Sequence, residues 1–207
     1  MGASNLAAKR AAKASRRKAI VAQKRKIEAA EATPAGLAAN AASLPIRACV
    51  LSQNTLESGM GTLILARGSS VGSVVLGAFL LDTFSRGVKD VLIRTMESRE
   101  FERYLGMLDD ATPLVDVEPS FGRKMLRDLV QWSGSLGFRP PRDFAALERL
   151  FGDIDPRTCE ASFEFGLGGK PLYISSPGDT PSVTRAHIAH MREEVGPDGF
   201  DYAVVSP

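Results

Sequence analysis

The sequence predicts an α+β domain, a mainly antiparallel sheet with three to four helices packed on it, preceded by a basic, marginally helical N-terminal arm. Three observations predict it. Apolar runs follow one another across residues 61–95, separated by Gly-containing turns too short for helical crossovers, which is the pattern of a meander. Helical spacing of apolar residues takes over from residue 98. The charge is also split along the chain. Residues 1–32 carry nine cations against Glu28 and Glu31, a net of +7. Of the chain's 26 Lys and Arg and 24 Asp and Glu, 17 and 22 remain for residues 33–207, a net of −5.

Taken in order, residues 46–51 form a short β-branched and apolar run, and 61–66 a second. After Gly68, Ser69 and Ser70 comes the run 71–84, and after Arg86 and Gly87 the run 88–95. The stretch 74–81 is almost continuously apolar, which places it centrally in the sheet, with a buried helix as the alternative. Residues 98–108 carry Phe101, Tyr104, Leu105 and Leu108 on one helical face. Residues 119–136 form a longer helix with Pro119 in its first turn and Gly137 as its stop. Pro140 and Pro141 break the chain, and Asp143 is placed to cap a shorter helix over 143–150. Strands over 162–165 and 172–175 flank a Gly-rich loop, read as a hairpin. A helix over 181–195 and a strand over 200–205 end the chain.

The arm is rich in Ala, Lys, Arg, Gln and Glu, all good helix formers, but Leu6, Ile20, Val21 and Ile27 are too few to dock it on a core. Its cations are Lys9, Arg10, Lys13, Arg16, Arg17, Lys18, Lys24, Arg25 and Lys26. Such a field suits phosphates through counterion release, with little sequence readout. It holds no aromatic residue for stacking on single-stranded bases. A nucleic-acid or ribosome-binding arm leads over a solvated tail, an organellar transit peptide and an anionic-membrane contact. Residues 33–44, with Pro34, Gly36 and many alanines, read as a linker to a domain over 45–207. No apolar run approaches the ~20 residues that span a bilayer. With no export signal and two isolated cysteines, Cys49 and Cys159, the expectation is a cytoplasmic protein with inert thiols and neither membrane nor cofactor.

Candidate chemistry is sparse. Gly166-Leu167-Gly168-Gly169-Lys170-Pro171 has too short a spacing for a phosphate loop, and Pro171 stands where the hydroxyl belongs. Asp153 and Asp155, with Asp179 further on, could gather around a divalent cation. Pro156 makes the first pair a turn, where Asp side chains commonly bond backbone amides instead. His187 and His190 share one helix stripe at a spacing of three, without the HExxH pattern. Cys159 with a remote His is a conceivable nucleophile lacking local support. Lys89 and Asp90 read as a strand-end ion pair. Two cysteines and two histidines predict no metal site.

Three segments also carry a resemblance: 82–90 (Asp82 to Asp90), 151–156 (Phe151 to Pro156), and 163–175 with its Phe-Glu-Phe-Gly and Gly-Lys-Pro-Leu-Tyr-Ile-Ser runs. In these the chain resembles a family of uncharacterised bacterial proteins over about residues 45–205. The resemblance implies a bacterial cytoplasmic setting and no catalytic residue. The sequence thus predicts a non-enzymatic accessory protein that binds nucleic acid or a ribonucleoprotein through its arm. The alternatives are a metal-dependent enzyme using Asp153, Asp155, Asp179 and His187, and a protein–protein adaptor.

Overall fold

The computed structural model describes residues 33–175 and 179–204; the arm expected over 1–32 lies outside them. The fold is α+β. Strands β1 (Ile46–Ser52), β2 (Met60–Gly68), β3 (Ser73–Asp82), β4 (Gly87–Glu97) and β5 (Leu114–Asp116) form one sheet in the order β4-β3-β2-β1-β5. All its pairings are antiparallel, so the meander expected from the closely spaced apolar runs is present.

Helices cover both faces of this sheet. Below lie α1 (Pro34–Ala41), α4 (Pro119–Ser135), α5 (Phe144–Leu147) and a 3-10 turn, Glu148–Phe151, packed on Leu63, Leu65, Phe79 and Leu81. Above lies α3 (Ser98–Ala111), whose Phe101, Tyr104, Leu105 and Leu108 pack on Ile64, Ala66, Leu76 and Ala78. A strand alternates its side chains between faces, so β2 and β3 must be apolar at successive positions to feed two cores. This explains the unbroken 74–81 run, which is an interior strand and not a buried helix. A one-turn helix, α2 (Thr55–Ser58), links β1 to β2. Six helices stand among the described residues where three to four were expected; the additions are short.

Three local expectations change. The stretch read as a linker holds α1, whose Thr33 Oγ1 accepts from the Gly36 amide at 3.1 Å. Its Ala38 and Ala41 are fully buried: the alanines that looked like spacer material let the helix approach the core closely. Asp143 makes no side-chain cap; its carbonyl accepts from the Ala146 and Leu147 amides instead. Residues 162–165 are extended but not a hairpin strand. Phe163 packs edge-on against Phe121 at 5.0 Å and Phe165 against Trp132 at 5.5 Å, so α4 claims this segment. The tight turn survives, with Leu167 and Lys170 exchanging amide–carbonyl bonds across Gly168 and Gly169, both at positive φ. β6 (Leu172–Ile174) pairs in parallel with β7 (Asp201–Ala203), joined by α6 (Pro181–Val195). Among the described residues no helix is long and apolar enough to cross a membrane.

Candidate functional site: a cationic cavity

The β3–β4 turn is tied on several sides. Asp82 Oδ1 accepts from the amides of Phe84 and Ser85 at 3.1 and 2.9 Å. Burial raises the Asp82 carboxyl, and the turn amides with nearby Lys89 oppose that rise. The Thr83 amide donates to Gly59 O and its hydroxyl to Thr55 O. In return Thr83 O and Phe84 O accept from the amides of Gly166 and Leu172, both at 2.8 Å. Gly87 sits at φ +75°, where a Cβ would also collide with the Ser133 hydroxyl. A turn held on so many sides presents Arg86 and Lys89 from fixed stems.

The second wall follows the end of α4. Phe138 N bonds Ser133 O at 3.0 Å and Gly137 N bonds Gly134 O at 3.1 Å, with Gly137 at φ +79°. This is a Schellman end, and it turns the chain sharply so that Phe138, Arg139 and Pro141 leave beside the β3–β4 turn. The third wall is α6, capped by Thr180 and begun by Pro181. Its His187 lies 6.1 Å from the Phe138 ring. Together these elements border a half-open cavity of about 200 Å³, lined by Arg86, Lys89, Arg139 and His187 with Val88, Phe138 and Pro141.

Behind the cavity runs a polar chain. The Tyr173 hydroxyl donates to Asp179 Oδ2 at 3.1 Å and lies 3.2 Å from His187 Nδ1. A phenol has one proton, so once it is given to Asp179 the oxygen accepts from Nδ1–H. The neutral imidazole then carries its free lone pair on Nε2. Burial lowers the His187 pKa, Arg86 lowers it further, and Asp179 opposes both. Burial raises the Tyr173 phenol, with Thr184 opposing and Asp179 reinforcing.

Of the residues singled out from sequence, Asp179 and His187 meet through Tyr173. Asp155 serves the turn it belongs to, while Asp153 acts on Arg67. Asp155 Oδ1 accepts from the Arg157 amide, and its carboxylate pairs with the Arg157 guanidinium at 2.9 Å, which holds its pKa low. Asp153 counters the lowering that burial imposes on Arg67. Among the described residues no three His, Cys, Asp or Glu side chains gather as metal ligands, so Asp153, Asp155 and Asp179 do not converge. His190 packs on Phe138 at 5.0 Å, and its buried Nε2 has no hydrogen-bond partner. Cys49 is buried and its thiol is pushed up to about 12, while Cys159 is half-buried and not a core residue.

Sequence reasoning missed Arg86, Arg139 and Tyr173, and took Lys89 only as a partner of Asp90. The signals were a cation beside a turn glycine, and another between a helix-stopping glycine and a proline pair. Neither distinguishes a site from an ordinary surface until the turns are folded together. The chain matches no family model, no curated protein and no solved structure, so the resemblance of its three segments to a bacterial family gains no support and function must be read from the residues.

Proposed function

We propose that this is a non-enzymatic accessory protein of the cytoplasm, tethered to nucleic acid or a ribonucleoprotein by the basic residues of its N-terminal arm. One observation carries the reading: a net of +7 over residues 1–32 is joined to a net of −5 over the rest. The domain's own field repels phosphate polymers, so polyanion binding concentrates on the arm. The bonds of Asp155 to Arg157 and of Asp179 to Tyr173 support the reading, since both carboxylates are engaged in side-chain contacts. Two unpaired thiols suit a reducing compartment.

The test is binding to generic duplex or structured RNA across a salt series. With ~4–5 phosphates engaged at once by the nine cations of the arm, log affinity falls against log salt with a slope of roughly −3 to −4.5. Scrambling the nucleic-acid sequence changes little, and converting Arg16, Arg17 and Lys18 to Glu weakens binding. The truncation control starts at Thr33, because that residue caps α1 and its loss costs about 1 kcal/mol by itself. Flat salt dependence, or equal binding by the truncated chain, overturns the reading; selective capture of an acidic protein instead favours an adaptor.

A further inference from the structure

We propose that the cavity walled by Arg86, Lys89, Arg139 and His187 binds a phosphate group presented as a monoester dianion. The inference stands apart from the arm and does not rest on it.

Four nitrogen-bearing side chains reach this cavity from three separate elements: the β3–β4 turn with the start of β4, the segment after α4, and α6. The domain carries a surplus of carboxylates, and its ion pairs satisfy Arg47, Arg123, Arg127 and Arg157. Arg86 and Arg139 make no ion pair among the described residues, although both line one small cavity. Holding two guanidinium groups at one hollow, neither in an ion pair, costs electrostatic energy that an anion would recover. A second cationic hollow, beside Arg99 and Arg103, lies on a single helix and includes Glu102, which already pairs with Arg47. It lacks the convergence seen here.

Charge and shape select the ligand class. Two permanently charged guanidinium forks match a dianion, while a lone carboxylate would balance only one of them. The apolar wall of Val88, Phe138 and Pro141 suits the carbon side of an ester. A half-open volume of about 200 Å³ has room for a phosphate with a small organic group, or for the phosphorylated end of a longer chain. His187 completes the set: with Nδ1–H committed to Tyr173, its Nε2 can take up a proton when a dianion arrives and donate to it. Arg86, Lys89, Asp179, Tyr173 and His190 are the charged and titratable groups around it.

The chain has only two histidines, so proton NMR of the full-length protein reads His187 and His190 as two resolvable Cε1–H signals. Titration with inorganic phosphate at constant ionic strength is expected to shift the His187 signal saturably, with a dissociation constant in the millimolar range or tighter. It also moves the His187 titration midpoint upward. Arg86→Gln and Arg139→Gln each weaken the response about tenfold, the loss of one charge-assisted contact. Arg86→Lys retains part of it, and Arg139, exposed at the surface, gives a variant that keeps the fold. Converting Arg16, Arg17 and Lys18 to Glu leaves the response unchanged, which separates this site from the arm. Glycerol phosphate compared with 5′-phosphorylated and 5′-hydroxyl oligonucleotides distinguishes a small metabolite from a nucleic-acid end. A response to acetate equal to that to phosphate, no saturation, or indifference to both Gln variants overturns the proposal.

Discussion

The turn after Phe151 and the cavity beside the β3–β4 turn are both dense in charge, yet their charges are spent differently. At the first, Arg67 is buried and donates to three carbonyls, those of Leu150, Leu44 and Phe151, at 2.6, 2.5 and 2.8 Å. Arg123 donates to Gly152 O and Ile154 O while pairing with Glu148, and Asp155 holds Arg157. There the charges close backbone that no regular element satisfies. At the cavity, the backbone is closed by Asp82, Thr83 and the Schellman end, and the arginines are left over. What marks a candidate site is therefore a charge the fold does not use, not a concentration of charge.

The largest effect should come from Arg67. Replacing it with Met removes all three donors and leaves the buried Leu150 carbonyl without its Arg67 bond, a loss of about 3 kcal/mol in urea unfolding. Arg86→Gln and Arg139→Gln should stay within about 0.5 kcal/mol of the parent, because no fold contact is lost. Comparable losses at both places would erase the distinction between structural and unused charge.

A smaller effect concerns pH. Burial lowers the folded-state pKa of His187 below the ordinary value of about 6.5, so the unfolded chain binds the proton first. Stability from this source is complete above about pH 6.5 and is lost as pH falls through and below that value. Urea midpoints measured from pH 7.5 to 5.5 should therefore fall less steeply in His187→Gln than in the parent. An identical slope would mean that His187 is solvated like a surface residue.

The smallest effect is expected at Asp155. Its bonds to Arg157 are fully exposed to water and screened by it, so Asp155→Asn should leave the urea midpoint unmoved within error. A clear loss would show that the turn depends on this one carboxylate as the core depends on Arg67.

Periodicity and turn chemistry made much of the fold legible beforehand. The β2–β3–β4 meander, α3, α4 with its Gly137 stop, and α6 all follow from spacing and caps within short windows of chain. These are decisions of neighbours in sequence, for which local physics suffices. The same local reading erred where a distant surface decided. Alanines over 34–41 could be spacer or close-packed helix, and only the core face offered by Leu63 and Phe79 made them helix. Residues 162–165 had a strand's pattern, but Phe121 and Trp132 drew them onto α4. At the cavity, Asp179 was legible as a candidate metal carboxylate and His187 as part of a helix stripe, while Arg86 and Arg139 were ordinary cations until they converged.

By itself, then, the sequence determined the class of fold, the order of its main elements and the division of charge between arm and domain. These depend on composition and on contacts a few residues long. The tertiary structure alone decided that β6 pairs with β7 in parallel, and that Arg86, Lys89, Arg139 and His187 share one cavity. The cavity depends on which surfaces meet across a hundred residues of chain, as Arg86 and His187 do. No periodicity encodes such a meeting, because it is fixed by the packing of whole elements and the need to satisfy every buried polar group at once.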